Sequence, residues 1–305
     1  MSTEYAITII SHGNELTEQE IKDFETNFLK KQFEIDNFDR KSLSNRALDY
    51  QFTSENYNEI CNSIKQEIGK LSYDIILQPA ATRRLKKMFI FDMDSTLIYQ
   101  EVIELIAQYA DIEDKVADIT TRAMNGELDF NDSLRERVLL LKGIDSTTLW
   151  TELQEKIEIT KGVKELTKAL NKLGMITGVL SGGFIPLAQY IQKTLNLNYA
   201  YANTLDVDEN RRLNGKTIGT IVNGERKAEL LLEIASNHSI DPKDVVAVGD
   251  GANDLKMMLV AGFGIAWNAK PKVQQLAPCC LNSTTLKDVL YILGYNDEEI
   301  KELTS

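Results

Sequence analysis

Apolar and polar positions follow different rhythms in successive stretches of this chain, and each rhythm predicts its own kind of structure. Within the first 80 residues, strand-like and helix-like patterns alternate. Residues 5–10 read as a strand, and residues 17–30 as a helix opened by a Thr17-x-x-Glu20 capping box. Two further strands are expected at residues 33–39 and 46–52. Residues 56–69 look helical, with Ile60, Ile64 and Ile68 at four-residue spacing, and residues 73–77 supply a last strand before Gln78-Pro79. The order strand-helix-strand-strand-helix-strand is the split βαβ arrangement of a ferredoxin-like α+β fold. Beyond it, Phe89-Ile90-Phe91 is a short apolar run that reads as a buried strand. Residues from about 101 to 160 then read as successive helices.

Alternation resumes after that helical stretch. Residues 175–180 and 245–248 read as strands, and residues 185–195, 227–237 and 254–261 as helices. Such alternation implies an α/β unit whose parallel sheet is covered on both faces. The stretch 101–160 is then an insertion after the first strand, placed to cap the carboxyl edge of the sheet. Two Asn-Gly pairs, Asn214-Gly215 and Asn223-Gly224, predict a small hairpin region between Asn203 and Glu225. The basic patch Arg83-Arg84-Leu85-Lys86-Lys87 is expected to be a solvated linker between residues 1–80 and 81–305.

Composition narrows the function classes. At 305 residues and 43% hydrophobic content, the chain can bury two ordinary cores. A formal net charge of −12 argues against a nucleic-acid or anionic-membrane surface. His12 and His238 are its only histidines, which makes a Ser-His-Asp triad or a His-rich zinc site hard to build. Cys61, Cys279 and Cys280 match neither a disulfide framework nor a zinc motif. Reduced thiols, no signal peptide in Met1 to Tyr5 and no apolar span of membrane length lead us to expect a cytoplasmic protein.

Three strand ends carry the candidate chemistry. The first is Phe91-Asp92-Met93-Asp94-Ser95-Thr96, where Asp92 and Asp94 lie two apart and point to one side in extended geometry. Two carboxylates at the ligand-binding edge of an open sheet repel unless a cation joins them, and a hard oxygen-seeking metal suits them. The second is Leu180-Ser181-Gly182-Gly183, whose hydroxyl and glycine amides can cradle phosphate oxygens. The third is Val248-Gly249-Asp250-Gly251-Ala252-Asn253-Asp254, with two more carboxylates. Lys227, at a helix start, offers a cation for phosphate, with its neighbour Arg226 as rival.

This ordered set, Asp-x-Asp-x-Thr, a Ser strand end, a Lys and Gly-Asp-x-x-x-Asp, resembles the haloacid dehalogenase (HAD) superfamily, and within it the phosphoserine phosphatases. The match runs from Met88 to about Leu293. The resemblance implies a HAD-like Rossmannoid fold, with Asp92 as nucleophile forming an aspartyl phosphate and Asp94 as general acid and then base. It also implies Mg²⁺ held by the Asp92 and Asp250 carboxylates and the Asp94 carbonyl. Ser181, the Gly182 amide and Lys227 would bind the phosphoryl oxygens, Asp254 would orient the metal's surroundings, and Asn253 would steady the site. An aspartate at position 94 points to a phosphatase or phosphotransferase rather than a pump-type ATPase or dehalogenase.

The amino-acid end comes from the same resemblance. Phosphoserine phosphatases carry a run similar to Met124-Asn125-Gly126-Glu127-Leu128-Asp129-Phe130 followed by Ser133 to Val138. There, the counterparts of Glu101 and Arg137 hold the ammonium and carboxylate of phosphoserine, while those of Met124 and Phe130 close over it. Arginine suits a planar carboxylate bidentately. The implied reaction is hydrolysis of O-phospho-L-serine, the last step of phosphorylated serine synthesis.

Bland alternatives stand beside these roles. Strand-end aspartates also serve as turn caps, Arg137 and Glu101 as surface groups, and Met124 and Phe130 as core. Another small phosphate ester, or an amino-acid-sensing module with a decayed phosphatase half, remains a rival. The element order of residues 1–80 resembles the ACT-type regulatory domains of amino-acid enzymes. Binding serine, joining two chains in a homodimer, and supporting the catalytic half are its three open roles.

Overall fold

The computed structural model describes residues 3–305; the side chain of Met124 lies outside the described residues. At the N-terminus, β1 (Thr3–Ser11), α1 (Glu18–Asp23), β2 (Asp39–Ser42), β3 (Ala47–Ser54), α2 (Tyr57–Glu67) and β4 (Tyr73–Pro79) build a four-stranded antiparallel sheet, order β2-β3-β1-β4. The Thr17/Glu20 capping box forms as expected, and the helix continues as a π-helical stretch over Phe24–Gln32. Ile7, Ile9, Phe24, Leu29, Tyr50 and Ile60 meet in this unit's own core.

A second sheet follows. Its central strand, β5 (Met88–Phe91), is buried at every position, as apolar runs become when helices cover both faces of a parallel sheet. Met88 and Ile90 face one hydrophobic cluster, while Phe89 and Phe91 face another, as the two-residue period of a strand requires. Burial of each phenylalanine contributes about 2–3 kcal/mol. After β5 come α3 (Val102–Tyr109), α4 (Glu113–Met124), α5 (Phe130–Leu140) and α6 (Ser146–Lys156), the helical insertion. The alternating part is α7 (Val163–Lys172), β6 (Ile176–Phe184), α8 (Ile185–Leu195), β7 (Tyr199–Val207), β8 (Leu213–Ile218), α9 (Gly224–Asn237), β9 (Val245–Gly249), α10 (Leu255–Val260), β10 (Phe263–Trp267), α11 (Pro271–Leu276) and β11 (Cys279–Leu281). The strand order is β11-β10-β9-β5-β6-β7-β8, and every pairing is parallel except β7 with β8. Helices α7 and α8 cover one face; α9, α10 and α11 cover the other. No helix among the described residues is long and apolar enough to cross a membrane.

Three expectations need correction. The strand placed at residues 33–39 lies instead at Asp39–Ser42, an exposed edge strand of polar residues. Phe33 and Ile35 are buried because they plug the N-terminal core from a loop, so their alternation was tertiary packing rather than strand. The hairpin between residues 203 and 225 exists, yet neither Asn-Gly pair makes its turn. Asp208 does, accepting from the amides of Asn210 and Arg212 with its side chain. Asn214-Gly215 sits inside β8, and Asn223 caps α9.

The basic patch is no solvated linker. Arg83 is buried and makes two 2.6 Å bonds to Asp49 of β3. Arg84 pairs with Glu299 at 2.8 Å and lies over the Tyr295 ring, Lys86 donates to the Lys243 carbonyl at 2.7 Å, and Lys87 pairs with Asp244 at 2.9 Å. The patch clasps the N-terminal sheet to the second unit, helped by Arg46, which grips both Asp288 oxygens at 2.7 Å. Net charge hid this, because the partners are scattered along the chain.

Candidate active site

Asp92 leaves the end of β5 with its amide donating to the Val248 carbonyl of β9 at 2.9 Å, so the two central strands jointly fix its backbone. The turn Met93–Leu97 follows, with Ser95 in the left-handed region at φ 54°. The Asp94 carboxyl is thereby turned toward the insertion, where its Oδ2 accepts from the Val102 amide at the start of α3, at 3.2 Å. Its other oxygen is buried without a hydrogen-bond partner among the described residues.

Lys227 reaches this point from the first turn of α9. It is fully buried, bonded to Asp92 Oδ1 and, at 2.7 Å, to Asp254 Oδ1. Asp254 spends its second oxygen on the Gly251 amide at 3.0 Å. Asp250 accepts from the Thr96 hydroxyl at 3.3 Å. Arg226, the rival cation, points away and pairs with Glu229 and Glu233. The helix start itself decides between the two: α9 begins with Asn223 as cap, and only position 227 faces inward.

Four carboxylates therefore share one lysine in a dry setting. Burial pushes Asp94 up to about 8, with Glu101 adding repulsion. Asp250 rises to about 7 through burial, Asp254 and Glu101. Asp92 is raised well above the usual range by burial and Asp254, against the pull of Lys227. Burial opposes the charge on Lys227, yet Asp254 and Asp92 outweigh it and raise its pKa. Oxygens of Asp92, Asp250 and Asp254 come within 4.8 Å of one another. An all-carboxylate donor set of this kind fits a hard divalent cation, which would relieve the repulsion.

Across from the aspartates, β6 carries Ser181, Gly182 and Gly183. The Ser181 hydroxyl accepts from the Gly183 amide at 2.9 Å. Phe130, the first residue of α5, lays its ring on Gly182: a Cβ there would lie 2.8 Å from the ring edge and 3.8 Å from Asn253 Nδ2. Any larger residue there would have to push the ring aside. Beside Phe130, Asn131 accepts from Asn223 Nδ2 at 3.1 Å, joining the helical insertion to the start of α9.

Glu101 and Arg137 belong to the helical insertion. Glu101, exposed, accepts from the Ser95 hydroxyl at 2.7 Å. Arg137 is half-buried, donates to Thr120 Oγ1 at 2.9 Å, and keeps a buried Nε without a partner among the described residues. Burial lowers its pKa while the charges of Glu101 and Glu104 work the other way. Thr96, Ser95, Thr120, Asn131 and Asn223 hold these groups in place. Sequence reasoning passed over their positioning roles because such residues are ordinary anywhere.

The chain is similar to known proteins in both sequence and fold. A family model described as haloacid dehalogenase-like hydrolase matches residues 86–262. The phosphoserine phosphatase of Saccharomyces cerevisiae is 46% identical over 98% of this chain and 98% of its own length. A probable phosphoserine phosphatase of Schizosaccharomyces pombe is 46% identical over 74% of this chain and 76% of its own. Among solved structures, a HAD family hydrolase from Salmonella enterica serovar Typhi aligns with a TM-score of 0.81 and 27% identity, covering 96% of this chain and 99% of the other. A substrate-bound phosphoserine phosphatase complex aligns with a TM-score of 0.63 and 39% identity, covering 68% and 97%.

Proposed function

The chain belongs to the haloacid dehalogenase-like hydrolases, and from that premise we propose that it is a magnesium-dependent phosphatase that converts O-phospho-L-serine to L-serine and phosphate, the closing step of serine synthesis. One observation carries this most: a full set of paired carboxylates, lysine and glycine turn lies at one sheet edge, beneath an insertion that presents Glu101 and Arg137. The relative at 46% identity over 98% of both chains supports the substrate.

The Asp92 carboxylate attacks phosphorus and the bond from phosphorus to the serine oxygen breaks. Asp94, which burial lets carry a proton, gives it to the departing alkoxide and later takes one from the water that frees phosphate from Asp92. Lys227, Ser181 and the Gly182 amide hold the phosphoryl oxygens. The Asp92 and Asp250 carboxylates and the Asp94 carbonyl would hold magnesium, which when bound offsets phosphoryl charge; Asp254 keeps Lys227 in place and Asn253 steadies the turn. Glu101 takes the substrate ammonium and Arg137 its carboxylate, while Met124 and Phe130 exclude water. Residues 1–80 form an ACT-type accessory unit, and residues 81–305 the phosphatase unit with its cap at about 101–160.

Kinetics across phosphoserine, phosphothreonine and sugar phosphates test the substrate. Arg137→Ala should raise KM for phosphoserine by about 10- to 100-fold and leave a carboxylate-free ester nearly unchanged. Equal effects on both, or a wild type that prefers another ester, would sink the assignment to phosphoserine.

A further inference from the structure

The phosphate turn is an interruption in a strand. Leu180 of β6 pairs with Tyr201, and Phe184 pairs with Asn203, so Ser181, Gly182 and Gly183 bulge out opposite Ala202 alone. A bulge leaves backbone groups outside the ladder, and a buried carbonyl without a partner is costly. Here the missing partner comes from a side chain. Asn203, 2% exposed, donates from Nδ2 to the Gly182 carbonyl at 2.8 Å. Its Oδ1 accepts from the Val222 amide at 2.9 Å. With a carbonyl on one side and an N–H on the other, the amide has one sensible orientation.

Both bonds lead to phosphate-binding groups. The Gly182 carbonyl shares a peptide plane with the Gly183 amide, and that amide donates to Ser181 Oγ at 2.9 Å. Locking the plane therefore occupies an acceptor site on the Ser181 hydroxyl and frees its single hydrogen to donate outward. At the other end, Val222 immediately precedes Asn223, whose side chain caps α9 through the Arg226 amide at 3.0 Å and whose carbonyl accepts from the Lys227 amide at 2.9 Å. We infer that Asn203 is a positioning residue for phosphoryl transfer: one buried amide sets the Ser181 hydroxyl as a donor and holds the phosphate turn in register with the helix that carries Lys227. Asn203 lies in mid-strand and outside every motif of the sequence, so only the structure reveals it. The inference rests on the phosphatase function proposed above.

The test uses the full chain with magnesium. Asn203→Leu, similar in size but unable to make either bond, should lower kcat on the order of a hundredfold, the scale of losing one preorganised donor. It should also weaken inhibition by inorganic phosphate, while the preference for phosphoserine over a carboxylate-free ester stays as in wild type. A merely structural role would not separate those readouts. Because Asn203 acts through Ser181, its replacement in a Ser181→Ala background should cost far less than in wild type. Should the leucine variant fail to fold, Asn203→Asp serves: its carboxyl can donate to Gly182 only while protonated, so turnover relative to wild type should fall between about pH 6 and about pH 9. Wild-type kcat and phosphate affinity in Asn203→Leu, equal losses in both backgrounds, or a pH-independent ratio for Asn203→Asp would overturn the inference. Absence of phosphoserine hydrolysis by the wild type would instead strike the function it rests on.

Discussion

Two buried charge clusters among the described residues are built on opposite plans. Where the N-terminal sheet meets the second unit, each carboxylate has its own guanidinium: Asp49 with Arg83, both nearly inaccessible, and Asp288 with Arg46. Arg83 meets the two Asp49 oxygens through two nitrogens, Arg46 meets both Asp288 oxygens through one, and Asp49 also accepts from Thr8 at 2.9 Å. At the sheet's carboxyl edge, Asp92, Asp94, Asp250 and Asp254 gather around Lys227 alone, and burial with like charge pushes the first three up in pKa, whereas at the joint burial raises Asp288 against the pull of its own Arg46. A satisfied cluster is finished and serves as a joint. An unsatisfied one retains affinity for a cation and a phosphoryl group, at the expense of stability until they arrive.

That contrast can be broken at either end. Asp49→Ala strands a buried guanidinium and should destabilise the protein by about 3–5 kcal/mol in denaturant unfolding; a near-neutral result would mean that the joint is not held by its ions. Asp250→Asn should act with the opposite sign. A carboxyl raised to about 7 binds its proton more tightly folded than unfolded. Its ionisation therefore erodes stability as pH climbs from the usual carboxylate range through about 7. In chelator at about pH 8, the variant should gain about 1 kcal/mol, read as ~2–4 °C in thermal melting, while losing its response to magnesium. A lower melting temperature would contradict the account of Asp250 as an unrelieved charge. The smallest effect belongs to the exposed rim of the joint. Glu299 is lowered by its bonds to Arg84. Its contribution is thus present above the usual carboxylate range and lost as pH falls through the lowered value. Glu299→Gln should cost at most about 0.5 kcal/mol near neutrality and less in acid; a cost that grows in acid would reverse that sign.

Legibility in the sequence divides along the same line. The finished joint was almost invisible: Asp49, Arg83, Arg46 and Asp288 lie far apart along the chain, and a basic patch on an acidic protein reads as solvent-facing. The carboxylate cluster at the sheet edge was legible as a candidate because strand ends and glycine turns mark it locally, so Asp92, Ser181 and Asp250 stand out without any structure. The choice of Lys227 over Arg226 needed the helix phase set by Asn223. Phe33 and Ile35 misled because loop residues plugging a core alternate as a strand does. Asn203 could not be found at all, since its meaning depends on a bulge in the neighbouring strand.

The most direct test of the central claim is to quench a reaction with radiolabelled phosphoserine in acid and map the labelled peptide. Label on the peptide containing Asp92, released by hydroxylamine and absent in Asp92→Asn together with a fall in turnover of about 10⁴-fold or more, is the predicted result. Unlabelled protein during steady turnover, or undiminished turnover in Asp92→Asn, would contradict it.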